Sequence, residues 1–273
     1  MKQQQIESDI HLFIGETYDS NSTAFEKGDE VLLVDGMASR RDAEELRERI
    51  EGGMKKRVRF IIATHYFSDH LAALKLFPDA EIIAHRNYPH TFTTEKHRTR
   101  EEEGNFVEPT MLIDDSLLIR WGRYTLDVFH NPGHTMSTLS IEVPEADLLM
   151  TGDTVVGNIV YISYTAPEML RRALLRLRRR GRGRLVSSHM GLREGRAVEH
   201  ALEYLDRLEA NARVAWQAGE AGDSVLQIPI GECLSPELKA TPFEELFHGR
   251  NLESIVGRRL LVPEPGWEPQ PSA

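Results

Sequence analysis

With 273 residues, 40% apolar and 28% charged, the chain has the make-up of an ordinary globule large enough for one big domain or two small ones. Its net charge of −10 argues against a nucleic-acid-binding face and against docking on an anionic membrane. A single cysteine, Cys233, excludes an internal disulfide and fits a reducing cytosol.

The amino terminus lacks the apolar run of a secretory signal, and no stretch is long and apolar enough to span a bilayer. A cytoplasmic protein acting on a small molecule is therefore expected, with homo-oligomerisation left open. Residues 10–36 read as a β-meander that closes at Asp35, and residues 39–50 as a charged helix with Ser39 as its N-cap. Residues 58–63 are apolar and β-branched, the pattern of a buried strand. They run into Thr64-His65-Tyr66-Phe67-Ser68-Asp69-His70, after which residues 71–77 read as a helix closed by Pro78. Residues 80–84 form another short strand that ends at His85. The polar stretch 86–108, with its charge run at 96–103, reads as an insertion or lid that shapes a pocket without doing chemistry. His85, His90 and His97 are weaker ligand candidates.

Residues 111–120 and 123–129 look like paired strands around Trp121-Gly122, and residues 138–143 and 148–150 like a hairpin. Residues 157–164 read as a loop over the site, where Tyr161 and Tyr164 either contact substrate or pack. The helix 167–180 is rich in arginine and leads into Gly181-Arg182-Gly183-Arg184. Arg182 and Arg184 precede the strand 185–188, so at about 3.3 Å per residue they lie roughly 15 Å from its far end. A solvated face or subunit contact is expected there. Residues 196–218 show the apolar spacing of a long helix, and two short helices follow around 243–248 and 252–260. Glu232, Cys233 and His248 are candidate pocket residues. The division expected is a core over 1–218, a helical extension over 219–262 packed on it, and a disordered, proline-rich tail over 263–273.

One arrangement recurs along the chain. Residues 58–63 lead into His65, Asp69 and His70; 124–129 into His130-Asn131-Pro132-Gly133-His134-Thr135; 147–150 into Thr151-Gly152-Asp153; and 185–188 into His189. A lone histidine beside a strand is usually surface or packed core. Four apolar strands that each end in His or Asp are better explained by a composite metal site outside their carboxyl ends.

Taken in order, the His-x-x-x-Asp-His run, Gly-His-Thr, Thr-Gly-Asp and the strand-terminal His resemble the metallo-β-lactamase superfamily over roughly residues 8–200. The resemblance implies an α/β fold, an αβ/βα sandwich, with a one- or two-metal site at one sheet edge and a C-terminal helical extension beyond it. It implies His65 and His134 on a first metal, Asp69, His70 and His189 on a second, and Asp153 bridging the two. It also puts a structural Asp near Asp35. The chain departs from the pattern at Phe67, where the family carries a third first-site His. One tightly held Zn²⁺ is the expectation, with a second ion weak, and Fe or Mn as alternatives. The activity implied is a metallo-hydrolase of a small ester, thioester, lactone or amide, with Asp69 catalytic. An iron protein handling oxygen or a redox substrate, or a non-catalytic metal-binding scaffold, stands as the alternative.

Overall fold

The computed structural model describes residues 1–95, 98–162, 164–218 and 222–264. Two mixed sheets face each other. The first contains seven strands in sequence order: β1 (Lys2–Glu7), β2 (Ile10–Ile14), β3 (Asn21–Lys27), β4 (Glu30–Val34), β5 (Arg57–Ile62), β6 (Glu81–His85) and β7 (Met111–Ile113). It is antiparallel through β4 and parallel from β4 to β7. The second contains β8 (Ser116–Trp121), β9 (Tyr124–His130), β10 (Leu139–Val143), β11 (Leu148–Met150), β12 (Arg184–Val186) and β13 (Leu192–Glu194), in the reverse spatial order.

Strand alternation builds the layers, because successive side chains point to opposite faces. Leu32, Val34, Ile62 and Ile83 point between the sheets, where they meet Leu126, Val128, Ile141 and Met150. The intervening Val31, Leu33, Ile61 and Ile82 point outward, onto α1 (Arg40–Arg47) and the segment around Leu71 and Leu74. On the second sheet, Phe129, Leu149 and Leu185 point outward onto α4 (Pro167–Arg180) and α5 (Ala197–Ala218). Such doubly covered strands read as near-continuous apolar runs, which is why they were legible. Beyond α5 come α6 (Asp223–Leu226), α7 (Ile230–Cys233) and α8 (Pro242–Gly257), and their Val225, Cys233, Phe247 and Ile255 join the same apolar cluster. No helix among the described residues is long and apolar enough to cross a membrane.

Ser39 caps α1 as expected, accepting a bond from the Asp42 amide. Several elements depart from the sequence reading. Lys2–Glu7 is a strand, though its glutamines gave no apolar pattern, because it lies at an exposed edge. Residues 71–77 are not a regular helix. The amides of Ala72 and Ala73 turn to the carbonyls of Met37 and Gly36, so only a 3₁₀ turn at Leu74–Leu76 forms. Met111–Ile113 joins the first sheet, and only from Ser116 does the chain pair with β9, the switch falling at Asp114-Asp115. The insertion 86–108 contains two short helices, α2 (Tyr88–Thr94) and α3 (Arg100–Glu103). The pair of helices expected at 243–260 is the single helix α8, capped by a box of Thr241 and Glu244. From residue 265 the expected tail lies outside the described residues, as does His97.

Candidate metal centre

Four strand ends meet at one edge of the sandwich. His65 follows β5, and Asp69 and His70 occupy a 3₁₀ turn at Ser68–His70. His134 follows β9, Asp153 follows β11 and His189 follows β12. Backbone bonds tie the two sheets together here, from the Leu139 amide to the Thr64 carbonyl (2.7 Å) and from Asn21 N to the Ser188 carbonyl (2.7 Å). Gly152 has a left-handed backbone (φ +55°), and a Cβ there would stand 3.2 Å from Thr64 Oγ1. Glycine therefore lets the chain pass Thr64 and deliver Asp153.

The six residues fall into two triads, His65–His134–Asp153 and Asp69–His70–His189, each with ligand atoms within 4.8 Å of one another. Asp153 Oδ2 is the hub. It lies 3.3 Å from His189 Nε2, 3.6 Å from His70 Nε2, and 3.9 Å from the Nε2 atoms of His65 and His134. The Asp69 carboxylate is 3.3 Å from His70 Nε2 and 3.6 Å from His189 Nε2.

The outer ring nitrogens are held in place. His189 Nδ1–H donates to the Tyr18 carbonyl (2.8 Å) and His134 Nδ1–H to the Tyr161 carbonyl (3.3 Å). His65 Nδ1 is 3.1 Å from Thr64 Oγ1, whose hydroxyl donates to Asp35, so the ring donates here too. Three acceptors thus fix three rings with Nε2 turned toward Asp153, the arrangement that presents imidazole to a metal. Asp35 is buried and accepts from Thr64 N, Thr64 Oγ1 and Ser188 Oγ, with His70 Nδ1 3.9 Å away. It plays the structural part expected of it.

Charge is shared unequally. Burial depresses the pKa of His65 well below the usual imidazole value, helped by neighbouring His70, and burial likewise lowers His134. His70 is also penalised by burial, but the Asp69 and Asp153 carboxylates outweigh that and raise it to about 10. Burial would raise Asp153, yet His189 and His70 hold it well below the carboxylate range.

A cavity of about 690 Å³ opens over the triads, with Asp69 and Asp153 at its floor and Tyr161, Tyr164, Phe247 and Arg250 among its walls. Phe67 also lines it, its ring 5.3 Å from that of His65 and 5.2 Å from that of His134. Other sequence candidates lie elsewhere. His85 stacks on His130 (3.7 Å between ring centres) and donates to the Asp114 carbonyl, and His90 is exposed on α2. Cys233 is buried in the helical cluster and Glu232 is exposed. His248 is enclosed between the Tyr204 hydroxyl and the Ile228 carbonyl. Arg182 pairs with Glu142 and Arg184 with Glu7, away from the site. Glu95 was missed. This lid carboxylate accepts from Ser68 N (3.0 Å) and Ser68 Oγ (2.8 Å), bracing the turn that carries Asp69 and His70.

The profile of the metallo-beta-lactamase superfamily matches residues 15–189, more than half of the chain and every residue of the two triads. The chain belongs to the metallo-β-lactamase superfamily. Among curated members, a metallo-beta-lactamase type 2 of Bacillus cereus is 25% identical over 148 residues, 54% of this chain and 55% of that protein. A hydroxyacylglutathione hydrolase of Bartonella henselae is 30% identical over 111 residues, 38% of each chain. The chain thus spans about half the length of the first relative and less of the second. The solved structure of a metallo-beta-lactamase from Pontibacter korlensis superposes with a TM-score of 0.63 at 18% identity, covering 75% of this chain and 98% of that one. The metallo-β-lactamase fold is thereby shown, with a C-terminal helical region added.

Proposed function

We propose that this metallo-β-lactamase superfamily member is a metal-dependent hydrolase of a small ester, thioester, lactone or amide. What carries the reading is a set of buried ligand atoms without a hydrogen-bond partner: His65 Nε2, both ring nitrogens of His70, His189 Nε2 and Asp153 Oδ1. Buried polar atoms are ordinarily hydrogen-bonded, and an inward-facing group of them implies a ligand. Their spacing fits a metal ion. Donors about 2.1 Å from a tetrahedral zinc stand roughly 3.4 Å from one another, and the contacts around Asp153 Oδ2 run from 3.3 to 3.9 Å. The imidazole and carboxylate donors suit Zn²⁺ and also admit Fe or Mn.

In this reading Asp69, His70, His189 and Asp153 hold one tight ion, while His65, His134 and Asp153 offer a poorer second position. Phe67 occupies the place where the family carries a further imidazole. Bound there, the ion would supply a Lewis acid for a carbonyl oxygen and a water acid enough to ionise near neutral pH. Asp69, less buried than the other members and open to the cavity, orients the attacking water through its carboxylate and takes up its proton. Phe67 gives the floor a dry wall. Tyr161 and Tyr164 flank the substrate, and Arg250, its guanidinium 4.9 Å from the Phe247 ring centre, offers a cation to an anionic substituent.

The test is metal analysis of protein purified without chelator or added metal, followed by a screen of chromogenic esters, thioesters, lactones and cephalosporins. About one equivalent of metal and a hydrolysis that a chelator abolishes are expected. Protein that takes up no ion, and turns over none of these with Zn²⁺, Fe²⁺ or Mn²⁺ supplied, refutes the proposal.

A further inference from the structure

The C-terminal helix α8 reaches the site through a side chain. Asn251 is fully buried in the middle of that helix. Its Oδ1 accepts from the Ile162 amide (2.7 Å), and its Nδ2 donates to the Val160 carbonyl (2.8 Å) and to the Tyr204 hydroxyl (3.0 Å). The two backbone bonds grip the chain on either side of Tyr161. Between them lies the Tyr161 carbonyl, the acceptor for His134 Nδ1–H. A second α8 side chain holds the same loop further upstream, where buried Glu244 accepts from Asn158 N (2.7 Å) and Asn158 Nδ2 (3.0 Å).

We infer that Asn251 is a positioning residue for the metal centre: by clamping residues 160 and 162 it aims the Tyr161 carbonyl at His134 and so keeps the His134 ring in the Nδ1–H form with Nε2 inward. Helix-packing demands alone do not explain this residue. Asparagine is a poor helix former because its amide competes for backbone groups, and a leucine would fill the same apolar cluster. A side-chain amide supplies a donor and an acceptor a fixed distance apart, which is what two successive peptide groups require. Residues that orient a ligand's outer nitrogen act on metal affinity and activity by about 10- to 100-fold in comparable sites. The inference rests on the reading of His134 as part of the metal centre, but the orientation of its ring can be measured without an ion.

The decisive comparison sets Asn251→Ala against Ile255→Ala, which removes buried apolar atoms one turn further along the same helix. In metal-free protein, nitrogen NMR of ¹⁵N-histidine reports the His134 tautomer. The Nδ1–H form is expected in the parent chain and in Ile255→Ala, and a mixture in Asn251→Ala. Competition with a chromophoric chelator should show weaker binding of Zn²⁺ or Co²⁺ by about tenfold or more in Asn251→Ala only. Should Asn251→Ala not fold, Asn251→Asp keeps the acceptor for Ile162 and loses the donor to Val160, and the same two readouts apply. A parent chain that binds no ion refutes the hydrolase reading, while the tautomer measurement still decides the role of Asn251. An unaltered His134 tautomer in the folded Asn251 variant, or an equal change in Ile255→Ala, overturns the inference.

Discussion

Replacing Phe67 with histidine probes the metal stoichiometry most directly. The Phe67 ring is 6% exposed and packs against His65, His134 and Tyr164, the last with ring centres 5.7 Å apart. Phe67→His forfeits part of that aromatic contact, worth about 0.5–1.5 kcal/mol. It also buries imidazole nitrogens without a partner, at about 1–3 kcal/mol on mutational scales. The metal-free variant should therefore be less stable than the metal-free parent by about 2–4 kcal/mol. A second ion reverses much of this, since a free ion at 100 times its Kd adds about 2.7 kcal/mol to the folded state. The assay is metal content per folded chain after dialysis, with thermal melts in the presence and absence of ion. The parent should retain about one ion and the variant approach two, and the melting deficit should shrink when metal is added. Two ions retained by the parent would refute the reasoning, as would a folded variant that stays at one with its deficit unchanged.

Asp153→Ala should abolish metal-dependent turnover and leave little bound metal, because it removes a carboxylate oxygen that lies within 3.9 Å of all four imidazoles; unchanged metal content on elemental analysis would contradict the assignment. Glu95→Gln keeps the shape of the brace but loses charge-assisted bonds to Ser68, so kcat/KM should fall by about tenfold with Tm nearly unchanged, a split that steady-state kinetics and calorimetry resolve. The metal-free protein should show a stability maximum near neutral pH. His70, raised to about 10, contributes stability that is complete below the unfolded imidazole value near 6.5 and is lost as pH rises through about 10. His65 and His134, whose pKa values are lowered, contribute stability that is lost as pH falls below about 6.5. A Tm of the metal-free protein that is flat from pH 6.5 to 10 would contradict the charge distribution in the site.

The strands buried on both faces were legible because burial on both sides demands unbroken apolar runs, and the ligand candidates because each follows such a run at its carboxyl end. What the sequence hid has a common physical cause, contact between residues far apart in the chain. Residues 71–77 have the composition of a helix, yet Gly36 and Met37 take the amides a helix needs. The strand Lys2–Glu7 carries no apolar pattern because four of its six residues are exposed at a sheet edge. Glu95 sits at the edge of a charge run indistinguishable from a solvated face, and the fold brings it to Ser68. Asn251 left one faint signal, a polar residue with poor helix propensity where a capped helix should be apolar.

The same contacts explain how the chain tolerates four imidazoles around one carboxylate. Three of the four outer ring positions are secured, each from a different direction: that of His65 by Thr64 and Asp35 at the end of the first sheet, that of His134 by the Tyr161 carbonyl under α8, and that of His189 by the Tyr18 carbonyl in the turn before β3. Those bonds hold the His65, His134 and His189 rings with Nε2 toward Asp153, and all four rings are buried. The metal-free fold answers by concentrating protonation on His70, which has two carboxylates beside it, and by keeping His65 neutral. A cation supplied from solution would displace that proton and satisfy the remaining nitrogens together. Loosening any one outer support, whether Glu95 below the Asp69 turn or Asn251 above Tyr161, should therefore weaken metal binding more than it weakens the fold.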